Sequence, residues 1–429
     1  MIYKNNICPV CGLACDDIDI EINGSEINVY SACEMGRAKY NKLFSGDRIL
    51  KPLVNGKETT WEKAIEFAAK ILVDAKKPLL FMGTEVSTET MGVGIEMAEY
   101  LRGFVDSCST MCHGPTIIGA QSVGIPTATL GEIKNRADVV IFWGCNPMES
   151  HPRLLSRYSV YPRGFFKRQG RKGRKVVVID TRRTLTADIA DLFLQIEPNM
   201  DFELMSAIQA IINGYKIDDN VAGIKSEEIN ELVNIMKNAR FGVVFVGLGL
   251  ASTVGKNRNM EKAMSMVRSM NRFTRFVLLA NRGHCNVTGF NEICTWVTGY
   301  PYGVDFTRGY PRYNPGETTA VDLLARREID ALLVIASDLV AHYPKSIVKY
   351  IAEIPLISIE ISHCPTTFLS DVVIPGVMDS MECEGTFYRM DHVPIHVKKF
   401  RSPPFEYTDS SEDTMRQIFR KVRGLKKEK

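Results

Sequence analysis

RKVVVIDTRRT, residues 174–184, sets four apolar residues from Val176 to Ile179 against an abrupt polar stretch beginning at Asp180. A short unbroken apolar run ending in Asp, Thr and Arg reads as a strand buried on both faces of a parallel sheet, with a ligand-facing loop at its carboxyl end. The pattern recurs in KPLLFMGTEVS (77–87), ADVVIFWGCNPMES (137–150), FGVVFVGLGLAS (241–252), IDALLVIASDLVAHYP (329–344) and PLISIEISHCPTT (355–367). Segments of helical period separate some of them, such as TWEKAIEFAAKILVDA (60–75) and TETMGVGIEMAEYLRG (88–103). Strand and helix in alternation predict an α/β chain built on parallel sheets. A single polar loop is only a turn, whereas a set of them suggests a phosphate- or nucleotide-bearing ligand. No loop reads G-x-G-x-x-G or G-x-x-x-x-G-K, which excludes the simple dinucleotide fingerprint and the P-loop.

With 429 residues, 45% of them hydrophobic, the chain has room for two or more domain cores. Lys and Arg (53) nearly balance Asp and Glu (50), and the net charge of +3 argues against a broad nucleic-acid-binding face. The basic run from Lys167 to Lys175 and the terminal KVRGLKKEK read as solvated loops or subunit contacts. MIYKNN at the start carries no apolar signal core, and no apolar stretch approaches the ~18 to 20 residues of a membrane span. A cytoplasmic protein without nucleic-acid or membrane partners is expected, and there clustered cysteines serve metals or redox chemistry more often than disulfides.

Such a cluster opens the chain. CPVCGLACDD (8–17) carries Cys8, Cys11 and Cys15, and SACEMG (31–36) adds Cys33. Four thiolates suit either tetrahedral zinc or a [4Fe-4S] cluster; three crowded together with one distant partner favours the cluster over the paired knuckles typical of zinc. Between them DDIDIEINGSEINVY (16–30) alternates about Asn23-Gly24-Ser25, a hairpin signal that returns Cys33 to the other three.

The C-x2-C-x3-C…C motif, GCNPMESHP (144–152), VVVIDTRRTLTADIAD (176–191) and TTFLSDVVIPGVMDSMECEGTF (366–387), taken in this order, resemble the molybdopterin oxidoreductase superfamily from Cys8 to about Phe387. STMCHGP (109–115) and LLANRGHCNVTG (278–289) are most similar to the B-type subunit family of formylmethanofuran dehydrogenase. The resemblance implies an α/β fold with an N-terminal [4Fe-4S] β lobe, two Rossmann-like parallel-sheet lobes, and the superfamily's C-terminal β-barrel missing. The expected organisation is a cluster lobe at 1–50, one nucleotide-binding lobe from 51–132 with 318–400, a second at 133–317, and a tail at 401–429.

The same resemblance assigns roles. Cys8, Cys11, Cys15 and Cys33 would hold the [4Fe-4S] cluster, and Cys112 would ligate tungsten or molybdenum carried by two pyranopterin guanine dinucleotides. By itself Cys112 would read as a buried free cysteine like Cys108. His113 would donate a proton or hydrogen bond beside the metal, and Arg282 would hold the carboxylate of formate in its bidentate fork. The dinucleotides would run along Asn146, Asp180, Thr181, Arg182, Gly247, Gly249, Ser337, Asp338, Thr367 and Asp371. Cys145, Cys285, Cys294, Cys364 and Cys383 carry no assigned role. Many relatives have a lysine between cluster and pterin, a place for which Arg37 and Lys39 compete. The implied activity is reduction of carbon dioxide to formate within methanogenesis. A small β-barrel subunit would cover the pterin, an amidohydrolase-like subunit would use the formate, and ferredoxin-like subunits would supply electrons. The alternatives are a free-standing formate dehydrogenase chain and a metal-free electron-transfer or scaffold subunit of the same fold.

Overall fold

The computed structural model describes residues 1–24 and 26–428; Ser25 of the hairpin signal and Lys429 of the tail lie outside the described residues. Among these residues the strands form two large sheets, a three-stranded N-terminal sheet and a separate hairpin.

The first large sheet is wholly parallel. Its spatial order is Leu192–Gln195, Lys175–Asp180, Val139–Trp143, Phe241–Val246 and Arg275–Ala280. The Val139–Trp143 and Phe241–Val246 strands are buried throughout, as unbroken apolar runs in a two-sided parallel sheet must be. Chain order reverses between those two strands, so their carboxyl ends diverge and leave a crevice where ligands of such sheets bind.

The second sheet has nine strands. Its parallel centre runs Phe104–Ser107, Pro78–Met82, Ala331–Ile335, Leu356–Glu360 and Val372–Pro375, with short antiparallel pairs at both edges. Here the reversal falls between Pro78–Met82 and Ala331–Ile335. Helix Trp61–Asp74 packs on the Val372–Pro375 strand and is started by Thr60, whose Oγ1 accepts from Lys63 N–H at 3.4 Å; Ser87 caps Thr88–Leu101 in the same way.

Two expected boundaries are corrected. Val304–Asp305 pairs antiparallel with Phe104–Ser107, and helix Val287–Thr298 packs on Thr88–Leu101, so the chain returns to the nine-stranded sheet well before residue 317. Residues from 401 onward are not merely a tail: helix Ser411–Glu428 buries Met415, Ile418, Phe419 and Val422, one stripe at helical spacing, against helices Trp61–Asp74 and Thr88–Leu101. Trp61 Nε1 donates to Gln417 Oε1 at 2.7 Å across that contact. The basic run is also more than a solvated loop. Arg174 is buried and its guanidinium donates to the carbonyls of Ala137, Lys134, Val160 and Pro162, closing the turn ahead of the Lys175–Asp180 strand.

At the N-terminus, Ile2–Asn6, Ile18–Asn23 and Glu26–Tyr30 form an antiparallel sheet with the expected hairpin, Asn23 standing opposite Glu26. Helix Glu34–Asn41 follows, with Cys33 at its N-cap. Among the described residues no helix is long and apolar enough to cross a membrane.

Candidate active site

The hairpin and the helix after it bring the four N-terminal cysteines to one small cavity, walled otherwise by apolar side chains and Arg153. Cys8 N–H donates to Cys15 O at 2.9 Å, folding the first three into a tight loop. A Cβ on Gly36 would meet Cys8 Sγ at 3.3 Å and Cys33 Sγ at 3.9 Å, so glycine lets the helix close over two of the sulfurs. Burial, reinforced by the other thiols, raises Cys8 well above the ordinary thiol range; Cys11 is pushed up to about 12 by burial. Several thiolates therefore coexist here only with a cationic group among them. Among the described residues no three His, Cys, Asp or Glu side chains stand close enough to hold one metal ion.

The second candidate region is a cavity of about 410 Å³ at the reversal of the nine-stranded sheet. Its walls are the strand-end segments Gly83–Glu85 and Ala336–Leu339, with Cys108, Met111 and Cys112 from helix Ser109–Val123. Gly83 is demanded there, since a Cβ would stand 2.1 Å from the carbonyl oxygen of Ala336. Of the two candidates, Lys39, from the helix that follows Cys33, lines the cavity and pairs with Glu85, whereas Arg37 faces solvent. His284 Nδ1 lies 3.7 Å from the other oxygen of Glu85. Against the upward push of burial, His284 and Lys39 hold Glu85 down to about 2. Burial takes cavity-lining Glu360 the other way, up to about 7. Glu85, His284 and Glu360 were missed in the sequence; the strand-end positions of GTEVS and IEISHC were the available signal.

Cys112 sits in the first turn of its helix and is half-buried at the cavity wall, while Cys108 is bound to Thr84 Oγ1 at 3.1 Å. Burial raises Cys112 and the Arg282 guanidinium lowers it. Arg282, only 5% exposed, follows the Arg275–Ala280 strand and donates through Nη1 to Asn291 Oδ1. Asn291 is fixed in turn by Ser109 Oγ at 3.0 Å and by its own bond to Pro301 O at 2.9 Å. Among the described residues no carboxylate is within ion-pair range of Arg282, and burial brings it down to about 10.

His113 does not offer a free proton. Nε2 donates to Asn281 O at 3.0 Å and Nδ1 faces Thr116 Oγ1 at 3.3 Å, while burial and then Arg282 hold the ring down to about 3. Its neutral ring braces the 281–282 segment. His151 does the same from the other side, with Nε2 at 2.7 Å from Arg282 O.

The expected dinucleotide residues divide. Ser337 and Asp338 line the cavity, although one Asp338 oxygen already accepts from Thr366 Oγ1 at 2.7 Å. Asn146, at the reversal of the five-stranded sheet, accepts from Thr186 Oγ1 at 2.6 Å and leaves Nδ2 buried without a partner; Asn281 Oδ1 is likewise unpartnered. Such orphaned groups suit a polar ligand at that crevice. Asp180 accepts from Thr181 N–H at 2.8 Å, and Thr181 and Arg182 are exposed at the same edge. The other four have internal explanations. A Cβ on Gly247 would stand 2.5 Å from Gly144 O and one on Gly249 2.7 Å from it, so both glycines serve loop against loop. Thr367 Oγ1 caps its own helix, accepting from Cys364 N–H at 3.0 Å. Asp371 precedes the Val372–Pro375 strand and accepts from Leu356 N–H at 2.9 Å, which puts it at the amino edge, opposite the cavity.

Comparisons with known proteins bear on the family and the fold. The family model described as molybdopterin oxidoreductase matches residues 48–412. The chain is 44% identical over 432 residues to the B-type subunit of tungsten-containing formylmethanofuran dehydrogenase 2 of Methanocaldococcus jannaschii, covering 99% of each chain. In fold it resembles a chain of the formyltransferase/hydrolase complex of Methylorubrum extorquens, crystallised with methylofuran, at a TM-score of 0.70 and 19% identity over 87% of this chain and 99% of that one. Acetylene hydratase from Pelobacter acetylenicus gives a TM-score of 0.73 at 14% identity, over 99% of this chain and 70% of that one.

Proposed function

The chain belongs to the molybdopterin oxidoreductase family and, within it, to the family of formylmethanofuran dehydrogenase B-type subunits; from that premise we propose that it is the catalytic subunit reducing carbon dioxide to formate in methanogenesis. The observation that carries this reading is Arg282, a buried guanidinium without a carboxylate partner among the described residues, interacting with Cys112 at a cavity wall. Burial outweighs the favourable field of Glu292, which lies beyond ion-pair distance, so a site built around this cation favours an anion. Formate presents two oxygens in one plane, which a guanidinium matches with two parallel donors.

Cys8, Cys11, Cys15 and Cys33 hold a [4Fe-4S] cluster. All four line one cavity, and three crowded ligands with one distant partner support a polynuclear centre over the paired knuckles of zinc. Cys112 supplies the protein ligand to tungsten or molybdenum; the name of the Methanocaldococcus relative favours tungsten. The metal–pterin group, when bound, supplies the two-electron exchange between carbon dioxide and formate. Lys39, on the helix that follows Cys33 and held by Glu85, lines the cavity with Cys112 and orients a pterin there. His113 and His151 keep Arg282 in position. One guanine dinucleotide arm lies along Ser337 and Asp338, and the other reaches Asn146, Asp180, Thr181 and Arg182.

Exposed Met111, Leu248 and Phe368, in helices that follow sheet strands, support a covering partner, a small β-barrel subunit. An amidohydrolase-like subunit takes the formate, and ferredoxin-like subunits supply the electrons.

The test compares Cys112→Ala with Cys108→Ala in the assembled enzyme. Cys112→Ala is expected to abolish turnover and remove one sulfur from the metal's X-ray absorption shell, with Cys108→Ala mild on both counts. An unchanged shell in Cys112→Ala, or metal-free wild-type enzyme with full electron-transfer activity, would rule the assignment out.

A further inference from the structure

The loop at 161–167 turns three aromatic rings toward water. Phe165 is 70% exposed, Phe166 57% and Tyr161 44%, and the cations Arg163, Arg168 and Lys172 are exposed along the same run. Among the described residues no carboxylate lies within ion-pair range of those three cations, whereas the other basic groups here are matched. Lys167 Nζ stands 3.1 Å from Asp138 Oδ2 and Arg171 Nη2 3.1 Å from Asp191 Oδ2. Arg136, whose guanidinium lies 4.6 Å from the centre of the Phe166 ring, has Glu132 at 3.5 Å. The acids beside the loop are thus taken, and its remaining positive charge is unanswered within the chain.

The backbone holds the rings out. Phe165 N–H donates to Asn135 Oδ1 at 2.8 Å and Phe166 N–H to Asn135 O at 3.1 Å. Gly164 and Lys167 exchange backbone hydrogen bonds of 3.1 Å, and from beneath Arg174 binds the carbonyls of Val160 and Pro162. Two phenyl rings packed edge to face, with centroids 4.9 Å apart, are therefore fixed in water and not folded onto a core. Aromatic side chains and arginine are the residues enriched at interface hot spots, and a loop already ordered loses little entropy on association.

The loop stands at the amino ends of the five-stranded sheet. Asn135 lies in helix Leu130–Arg136, just ahead of the Val139–Trp143 strand, and Arg174 precedes Lys175–Asp180. Ligands of parallel sheets bind at the carboxyl ends, so this face is the one away from the crevice. Beside it runs a broad groove lined by Arg171 and Lys172 and, from helix Ser226–Lys237, by Glu227 and Glu231. Those glutamates repel an acidic occupant of the groove and confine it to the loop. A lipid surface is a poorer match, because one short loop with three free cations is a single weak anchor.

We propose that segment 161–172 docks an acidic subunit of the assembled enzyme, whose carboxylates meet Arg163, Arg168 and Lys172 around a pocket for Phe165 and Phe166. A subunit seated here leaves the carboxyl-end crevice of this sheet free. The metal site plays no part in the contact, so its assignment and this one fail separately.

The test is zero-length carbodiimide cross-linking of the assembled enzyme, purified through a tag on this chain; the reagent joins a lysine amine to a carboxylate in contact with it. Lys172 should link to an Asp or Glu of a different subunit. Retention of that subunit, read by native mass spectrometry over a salt series, should weaken about tenfold or more in Phe165→Ser and in the double variant Arg163→Glu, Arg168→Glu. Both variants change exposed side chains, so the circular dichroism should stay that of the wild type. A link from Lys172 to a second copy of this chain would overturn the proposal, as would every subunit being retained in both variants at all salt concentrations. Wild-type binding to phosphatidylserine vesicles, lost in Phe165→Ser with the subunit composition complete, would assign the loop to a membrane instead. Should Lys172 give no link, subunit retention in the two variants decides alone.

Discussion

The backbone N–H of Gly12 donates to the carbonyl oxygen of Arg282 at 3.1 Å, so the cysteine loop and the buried arginine share a hydrogen bond. A Cβ on Gly12 would stand 2.7 Å from that oxygen and 3.0 Å from Met390 Cβ. Main-chain oxygen cannot rotate aside as a flexible side chain would. Gly12→Ala should therefore separate the two loops, at a stability cost of about 1 to 3 kcal/mol. Thermal unfolding together with turnover per bound cluster measures both effects; wild-type values on both would mean that the contact carries neither.

Cys11→Ser addresses the cluster itself. The thiol shares a core with one face of the five-stranded sheet, but the other face and the nine-stranded sheet have cores without it, so iron and sulfide should fall while the far-ultraviolet circular dichroism stays that of the α/β fold. Zinc in place of iron in the wild-type protein would exclude the cluster.

The parallel strands were legible because burial on both faces leaves no polar residue inside a run such as Val139–Trp143. The cysteine spacing and its hairpin were legible for a local reason, a short turn between alternating segments. What stayed hidden depends on long-range pairing. Nothing in the two residues Val304–Asp305 announces that they join the edge of a sheet some 200 residues upstream, next to Phe104–Ser107. The resemblance assigns Asp371 to the dinucleotides, but its strand starts after it, and ligands of a parallel sheet bind at the other edge. Lys39 was separable from Arg37 only once the helix from Glu34 to Asn41 had a buried side, set by Gly36 and Tyr40. The resemblance implies a place for His113 beside the metal, whereas its partners, the Asn281 carbonyl and the Thr116 hydroxyl, are encoded by no motif.

Acid should reveal the effect of that pairing. Burial and Arg282 hold His113 down to about 3 from its ordinary 6.5, and burial lowers buried His151 too. Below 6.5 the unfolded chain takes up protons that the native ring refuses. The stability His113 contributes is thus complete above pH 6.5 and lost as pH falls through about 3. His113→Gln should make the urea midpoint less sensitive to lowering the pH from 7 to 5, with the remaining sensitivity reflecting His151 and the other titrating groups. An identical pH slope in both proteins would mean that His113 is not held neutral by the fold.

Arg282 carries the strongest claim about substrate. Formate has almost no apolar surface to bury, so its orientation must come from charge-assisted hydrogen bonds, and geometry should count beyond charge. Losing one partner of a buried charged pair costs on the order of 2 to 5 kcal/mol, and each ~1.4 kcal/mol of lost transition-state stabilisation is about tenfold in rate. Arg282→Ala should then lose roughly two or more decades of kcat/KM, with Arg282→Lys recovering only part, because an ammonium offers a point charge without the fork. A structural role would forecast something else. Asn291 and Ser109 also depend on this network, so a merely structural arginine would, when replaced, lower stability or metal content while each intact molecule kept its turnover. Rate per bound metal separates the two outcomes, and near-wild-type rate per metal in Arg282→Ala would take Arg282 out of the reaction.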